Sequence, residues 1–221
     1  MADIRDMYMV HAMLRRELGL LPRLVREVEP SDTRRSGIVG AHAQFVCDVL
    51  RYHHEGEDAV LWPLLLERGG QEIRAVVPLM EEQHHAIEAV SQETLRLLPQ
   101  WRSDARDGQA LAAVLDRLLA DVLEHLAVEE RQVLPLAEKY VTTAEWRRLG
   151  EHSMGRVPKK DLPLAFGMAM YEGDPEVVRS VLAGAPKPAR LILPLLAPRQ
   201  YAKHAKRLYG TATPPRASHV A

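Results

Sequence analysis

The sequence predicts an all-α protein, an up-down-up-down four-helix bundle carrying a C-terminal helical extension. Three observations predict it. Apolar residues recur at three-to-four spacing, as in Met7, Val10, Leu14, Leu18 and Leu21, which lines one face of a helix. No window shows the strict alternation of a half-buried strand. The stretch "HHEGEDAVLWPLLLE" (53–67) also aligns without a gap on "HLAVEERQVLPLAE", which begins at His125. The first 140 residues therefore read as two related helical hairpins.

The elements follow in order. Helix one is expected from Asp3 to Val28, with a kink at Pro22 where a backbone donor is missing. Ser31 or Asp32 can cap helix two, which runs to Glu67 and stops at Gly69-Gly70. Helix three is expected over Glu72 to Leu98, with Pro78 near its start and Pro99 closing it, and helix four over Asp107 to Tyr140. These helices make up a bundle domain over 1–140.

Beyond Tyr140 the texture changes, and nine of the 15 prolines fall there. Residues 141–209 read as a helical extension packed on the bundle, because so few residues make a poor independent core. Thr143 can cap "AEWRRLGEH". "GDPEVVRSVLAG" has Asp174 as cap, Pro175 at the first helical position and Gly184 as stop. "RQYAKHAKRLYG" is a last helix, and 210–221 is expected to be a disordered tail.

Composition narrows the function classes. With 47% hydrophobic and 27% charged residues and a net charge of -1, the chain is an ordinary globular protein with no basic block. That argues against nucleic acid or an anionic membrane as the main partner. The N-terminus lacks the layout of a secretion signal, and a single cysteine, Cys47, suits a reducing cytoplasm, which is the expected location.

The chemistry sits in the repeat. His53 is followed four residues later by Glu57, and His125 by Glu129. A second acid follows each glutamate (Asp58, Glu130), and a proline stands six after it (Pro63, Pro135). His11 lies 42 residues before His53, and His84 lies 41 before His125. A spacing of four puts two side chains on one helix face, and hairpins of near-equal length bring the four positions to one level. Four imidazoles and two carboxylates converging inside a bundle suit a first-row metal, and bridging carboxylates favour a pair. Iron fits better than zinc, because six donors exceed what a tetrahedral ion uses. Without a cation, burying such a set would cost several kcal/mol.

On "HAML", "HHEGEDAVLWP", "QHHAIEAV" and "HLAVEERQVLP", over about residues 5 to 140, the chain resembles the hemerythrin family, in its bacterial HHE cation-binding branch. The resemblance implies a bundle holding two iron ions with an oxo or hydroxo bridge. It implies His11, His53, Glu57, His84, His125 and Glu129 as ligands, with Glu57 and Glu129 bridging. Tyr8, His54, Asp58, Glu81, His85 and Glu130 stand beside them as additional ligands or as groups that orient the ligands. Register stays open between His53 and His54, His84 and His85, and Glu129 and Glu130. The oxygen-carrying members have a second histidine on helix three where this chain has Met80, a poor ligand for ferric iron. Glu81, Tyr8 or solvent is expected to fill that place.

Other residues carry less. His42 reads as a core-edge histidine, Cys47 as a small buried apolar residue, and Asp121 as an acceptor for His125. His152 and His204 have no constellation around them. The expected function is a non-haem di-iron protein reacting with hydrogen peroxide, nitric oxide or oxygen in stress defence. The alternatives are reversible binding or sensing of oxygen or nitric oxide, and iron storage or sensing. No further partner is expected beyond these small molecules and, at most, a second copy of the chain.

Overall fold

The structure is a computed structural model, and it describes residues 1–217. Ten α-helices are present among them: α1 (Arg5–Arg26), α2 (Thr33–Gly56), α3 (Trp62–Arg68), α4 (Gly70–Asp104), α5 (Gly108–Val128), α6 (Leu134–Tyr140), α7 (Thr143–Arg156), α8 (Leu162–Glu172), α9 (Pro175–Gly184) and α10 (Lys187–Tyr209). Two π-helical turns, Glu57–Leu61 and Glu129–Val133, join α2 to α3 and α5 to α6 into continuous rods. Among the described residues there is no strand, and no helix is long and apolar enough to cross a membrane.

Round the bundle, α1 packs on α2 and α5, and α4 packs on both α2 and α5. The result is the four-rod arrangement that the repeat implies. One apolar cluster fills it around Leu14, Leu18, Leu50, Ile87, Leu118 and Val122. A second cluster gathers around Met7, Trp62, Leu65, Ile73, Met80 and Leu134. His11 lies between Met7 and Leu14, and His84 between Met80 and Ile87. The polar residues of the repeat therefore form a layer between two dry cores.

Helix ends follow side chains that satisfy free backbone groups. Asp32, not Ser31, caps α2 and accepts from Arg35 N at 2.9 Å. Pro99 does not close α4: the helix runs on to Asp104 and ends where Ala105 turns left-handed at φ 54°. Leu98 and Trp101, both buried, hold that last stretch against the core, which outweighs the one donor that proline lacks. Pro22 likewise lies inside α1 without ending it.

The extension packs along α1 and α2 through α7, α8, α9 and α10. Thr142, one residue earlier than expected, caps α7 in a capping box with Glu145. Asp174 caps α9 as expected. Helix α8 was not foreseen, and α10 begins at Lys187, well before Arg199. Gly167 of α8 lies so close to α10 that a Cβ there would stand 2.4 Å from the Ala197 carbonyl oxygen. The described part of the tail is not loose: the Tyr171 hydroxyl donates to the Pro214 carbonyl at 2.8 Å, and Ala217 N donates to Glu172 at 3.2 Å. Residues 218–221 of the expected tail lie outside the described residues.

A buried polar group ties the extension to the bundle. Glu17 on α1 is fully buried and accepts from Arg16 Nε at 2.9 Å, from the Tyr209 hydroxyl, and from His42 Nε2 at 2.9 Å. His42 Nδ1 and His204 Nε2 lie 3.0 Å apart. His42 is thus a buried, partnered residue and not a core-edge one, and His204 has a constellation after all. Sequence spacing cannot join residues 17, 42, 204 and 209. Cys47 is buried as expected, which pushes its thiol up to about 12.

Candidate metal centre

Both glutamates of the repeat open a π turn. Trp62 N bonds to the Glu57 carbonyl and Leu134 N to the Glu129 carbonyl, five residues on in each case. A proline follows at once, Pro63 or Pro135. In a regular α-helix its ring would press on the carbonyl four residues before it. The widened turn removes that conflict, and such turns concentrate at functional sites. Gly56, beside the first turn, lies close against α7: a Cβ there would stand 2.1 Å from Ser153 Oγ and oblige that hydroxyl to turn away.

The structure brings all six residues of the repeat into one buried layer. Their donor atoms form two groups, each within 4.8 Å: His11, His53, Glu57 and Glu129, and His54, Glu57, His84 and His125. Glu57 belongs to both. Glu129 also reaches toward the second group, with Oε2 3.8 Å from His125 Nε2. The pairing crosses between hairpins in matched fashion: Glu57 lies 3.4 Å from His84 Nε2, and Glu129 lies 3.2 Å from His11 Nε2.

Of the residues expected beside the six as additional ligands or orienting groups, His54 is the one whose donor atom lies in the layer. It is buried, and its ring stacks on His84 at 4.0 Å between centroids. It supplies a fifth imidazole from α2, while Met80 is buried in the apolar core below. The expected stand-ins for Met80 do not reach the layer: Tyr8 and Glu81 are exposed, as is His85. Of the alternative registers, His84 and Glu129 lie in the donor layer and His85 and Glu130 do not, while His53 and His54 both lie inside it.

Asp58 and Glu130 do not join the donor groups; they hold the ligands from outside. His84 Nδ1 donates to Asp58 Oδ1 at 2.8 Å, and Trp62 Nε1 donates to the same oxygen at 2.8 Å. His11 Nδ1 donates to Glu130 Oε1 at 2.9 Å, where Arg15 also donates. His125 Nδ1 faces Gln83 Oε1 at 3.2 Å, not Asp121. Such partners fix the tautomer and turn a bare Nε2 lone pair inward. Gln83, next to His84 in sequence, was legible only as a neighbour. His152 is exposed and belongs to neither donor group.

Among the described residues the inward atoms have no hydrogen-bond partner. Nε2 of His11, His53, His54, His84 and His125 and both carboxylate oxygens of Glu57 and Glu129 are buried without a hydrogen bond. A buried polar atom left so costs roughly 1–3 kcal/mol, a cost that a bound cation would offset. Electrostatics agree. Burial and then the neighbouring Glu129 push the Glu57 carboxyl up to about 7. Burial and then the ring of His11 hold His53 down to about 3, and burial with its neighbours holds His125 down to about 4. Against burial, Glu129 keeps His11 up at about 9, and Asp58 and Glu57 keep His84 up at about 9. Oxygen and nitrogen donors so gathered fit a metal ion.

The profile of the hemerythrin HHE cation-binding domain matches residues 2–137. The chain belongs to this family. No curated protein and no solved structure matches it significantly. The matched region of this HHE-domain protein ends within α6, so α7 onward lies outside it.

Proposed function

We propose that this HHE-domain protein holds two iron ions, bridged by Glu57 and Glu129, and reacts there with hydrogen peroxide, nitric oxide or oxygen in oxidative and nitrosative stress defence. One observation carries the reading: two sets of buried, partnerless donor atoms share Glu57. Five imidazoles and two carboxylates exceed the needs of one tetrahedral ion and suit two iron ions of higher coordination. When bound, such a pair supplies redox equivalents and Lewis acidity. The chain's own residues do the rest. His11, His84 and His125 are locked by Glu130, Asp58 and Gln83, so their lone pairs point inward. Glu57 and Glu129 balance the charge of the metals. The apolar layers on both sides exclude water.

Because His54 brings the imidazoles to five, Met80 no longer argues against reversible oxygen binding, and the choice between turnover and binding falls to experiment. Metal analysis and an optical spectrum of the aerobically purified protein test the centre. About two iron per chain with near-ultraviolet absorption is the expected result, and zinc or no transition metal after reconstitution would refute it. Added peroxide should then be consumed catalytically. A reduced protein that takes up oxygen or nitric oxide and releases it unchanged would favour the binding module instead.

A further inference from the structure

A cavity of about 160 Å³ lies between α1 and α2 of the bundle and α7, α8 and α9 of the extension. Thioethers of Met7, Met9 and Met13 and the rings of Trp146 and Phe166 form much of its wall. Gly150 and Met154, both exposed, stand at its mouth, and the buried His53 stands at its inner end. Two polar groups in the wall are already engaged. Trp146 Nε1 donates to Asp6 at 2.9 Å, and the Ser153 hydroxyl donates to the Leu149 carbonyl at 3.3 Å.

His53 differs from most of its neighbours in the metal layer. The outward nitrogens of His11, His84 and His125 each have a partner. For Nδ1 of His53 none is found among the described residues, while its Nε2 turns toward Glu57 at 3.3 Å. Among the described residues the same holds for His54 Nδ1, and of these two imidazoles His53 is the one that lines the cavity.

We infer that the cavity binds a compact, uncharged, largely apolar organic molecule of about monocyclic size, whose single acceptor group takes a hydrogen bond from His53 Nδ1. Size sets the class: an apolar cavity of roughly 150 Å³ accommodates benzene, and a diatomic gas needs far less room. Chemistry sets the rest. Thioether walls adapt to irregular shapes; an anion would lose its hydration with no Lys or Arg in the wall to replace it, and the Asp6 carboxyl in the wall is already engaged by Trp146. Half of the wall comes from the extension, so this site belongs to the chain and not to the HHE domain alone. The inference rests on the metal reading only through the role of His53, since the cavity itself is a property of the packing.

Titration calorimetry of the purified protein with benzene, benzyl alcohol and benzoate tests it, with xenon-pressurised crystals as a second arm. Benzene and benzyl alcohol bind saturably, the alcohol about fivefold tighter for its one hydrogen bond, and benzoate does not bind. Gly150→Phe fills the mouth, where a Cβ meets open space, and abolishes binding; Ala165→Leu, from the α8 wall, weakens it. Xenon density without binding of either aromatic would leave a gas passage and overturn the inference. Binding that survives both filled variants would overturn it too, since the site would then lie elsewhere. Metal content measured on the same samples separates the two readings. Aromatic binding by metal-free protein removes the iron and keeps the cavity, and a metal-loaded protein that binds neither aromatic does the reverse.

Discussion

His54 decides how many imidazoles the centre has. In a regular helix His53 and His54 point about 100° apart, so a sequence reading admits only one of them to an interior site. Both enter here because the donor layer is wide: His53 belongs with His11 and Glu129, His54 with His84 and His125. The six residues of the repeat were legible because each His–Glu pair holds the same place against the apolar stripe. The seventh, His54, was legible only as an additional ligand or an orienting group, because adjacency to His53 carries no facing information until the site is seen to hold two donor groups. His54→Ala is accordingly expected to lower metal content by about half, since one of the two groups loses a donor, whereas His85→Ala on the exposed face leaves it unchanged. Equal metal content in the two variants would return His54 to a supporting role. Asp58→Ala removes the acceptor for both His84 Nδ1 and Trp62 Nε1. Competition with a chelator should show metal affinity weakened by about 10–100-fold, with helicity retained.

Among elements, prolines misled the reading in one direction and informed it in another. Pro99 looked like a stop and lies inside α4, because burial of Leu98 and Trp101 outweighs one missing donor. Pro63 and Pro135 looked like repeat markers and are the residues that the π turns accommodate, which is why each follows its glutamate by six. The contact between α1, α2 and α10 was illegible, since Glu17, His42, His204 and Tyr209 share no motif. Glu17→Ala leaves Arg16 with Glu172 as its remaining carboxylate partner and takes the buried acceptor from His42, and should cost about 3–5 kcal/mol, read from denaturant unfolding. Tyr209→Phe removes one hydrogen bond to a charged group and should cost about 1.5–3 kcal/mol. The same contact sets an acid dependence. Burial and then the His42 ring hold His204 down to about 4, with Arg207 adding to the shift and Glu17 opposing it. The unfolded chain therefore takes up this proton first, so the stabilisation is complete above about pH 6.5 and is lost as pH falls toward 4. Glu17, held down to about 2 against burial by His42, Arg16 and Tyr209, loses its share lower, from about 4.5 toward 2. Hydrogen exchange in α10 should accelerate across the upper window, and His204→Gln should flatten that portion of the profile.

For the molecule as a whole, the bundle could be read from periodicity, but the extension only as short helices of unknown placement. Helix α8, "LPLAFGMAMYE", is apolar nearly all round because α1 flanks it on one side and α10 on the other, and a helix buried on opposite faces shows no amphipathic period. This packing also makes the metal layer central to stability. The layer lies between two apolar clusters and draws on all four rods, so its partnerless atoms weaken every contact around it. Metal that binds only the folded chain stabilises it by mass action, about 4 kcal/mol when free metal exceeds the dissociation constant a thousandfold. For a chain of this length that corresponds to a rise in Tm of roughly 8–16 °C. Chelation at neutral pH should therefore lower Tm by about that amount, and readdition of iron should restore it. Glu57→Gln keeps the side-chain size but removes the charge shared by both donor groups, and its Tm should respond much less to the metal. A wild-type Tm indifferent to chelator, with metal content shown to fall, would mean that the buried donors find partners within the apo protein and that the layer is not what holds the rods together.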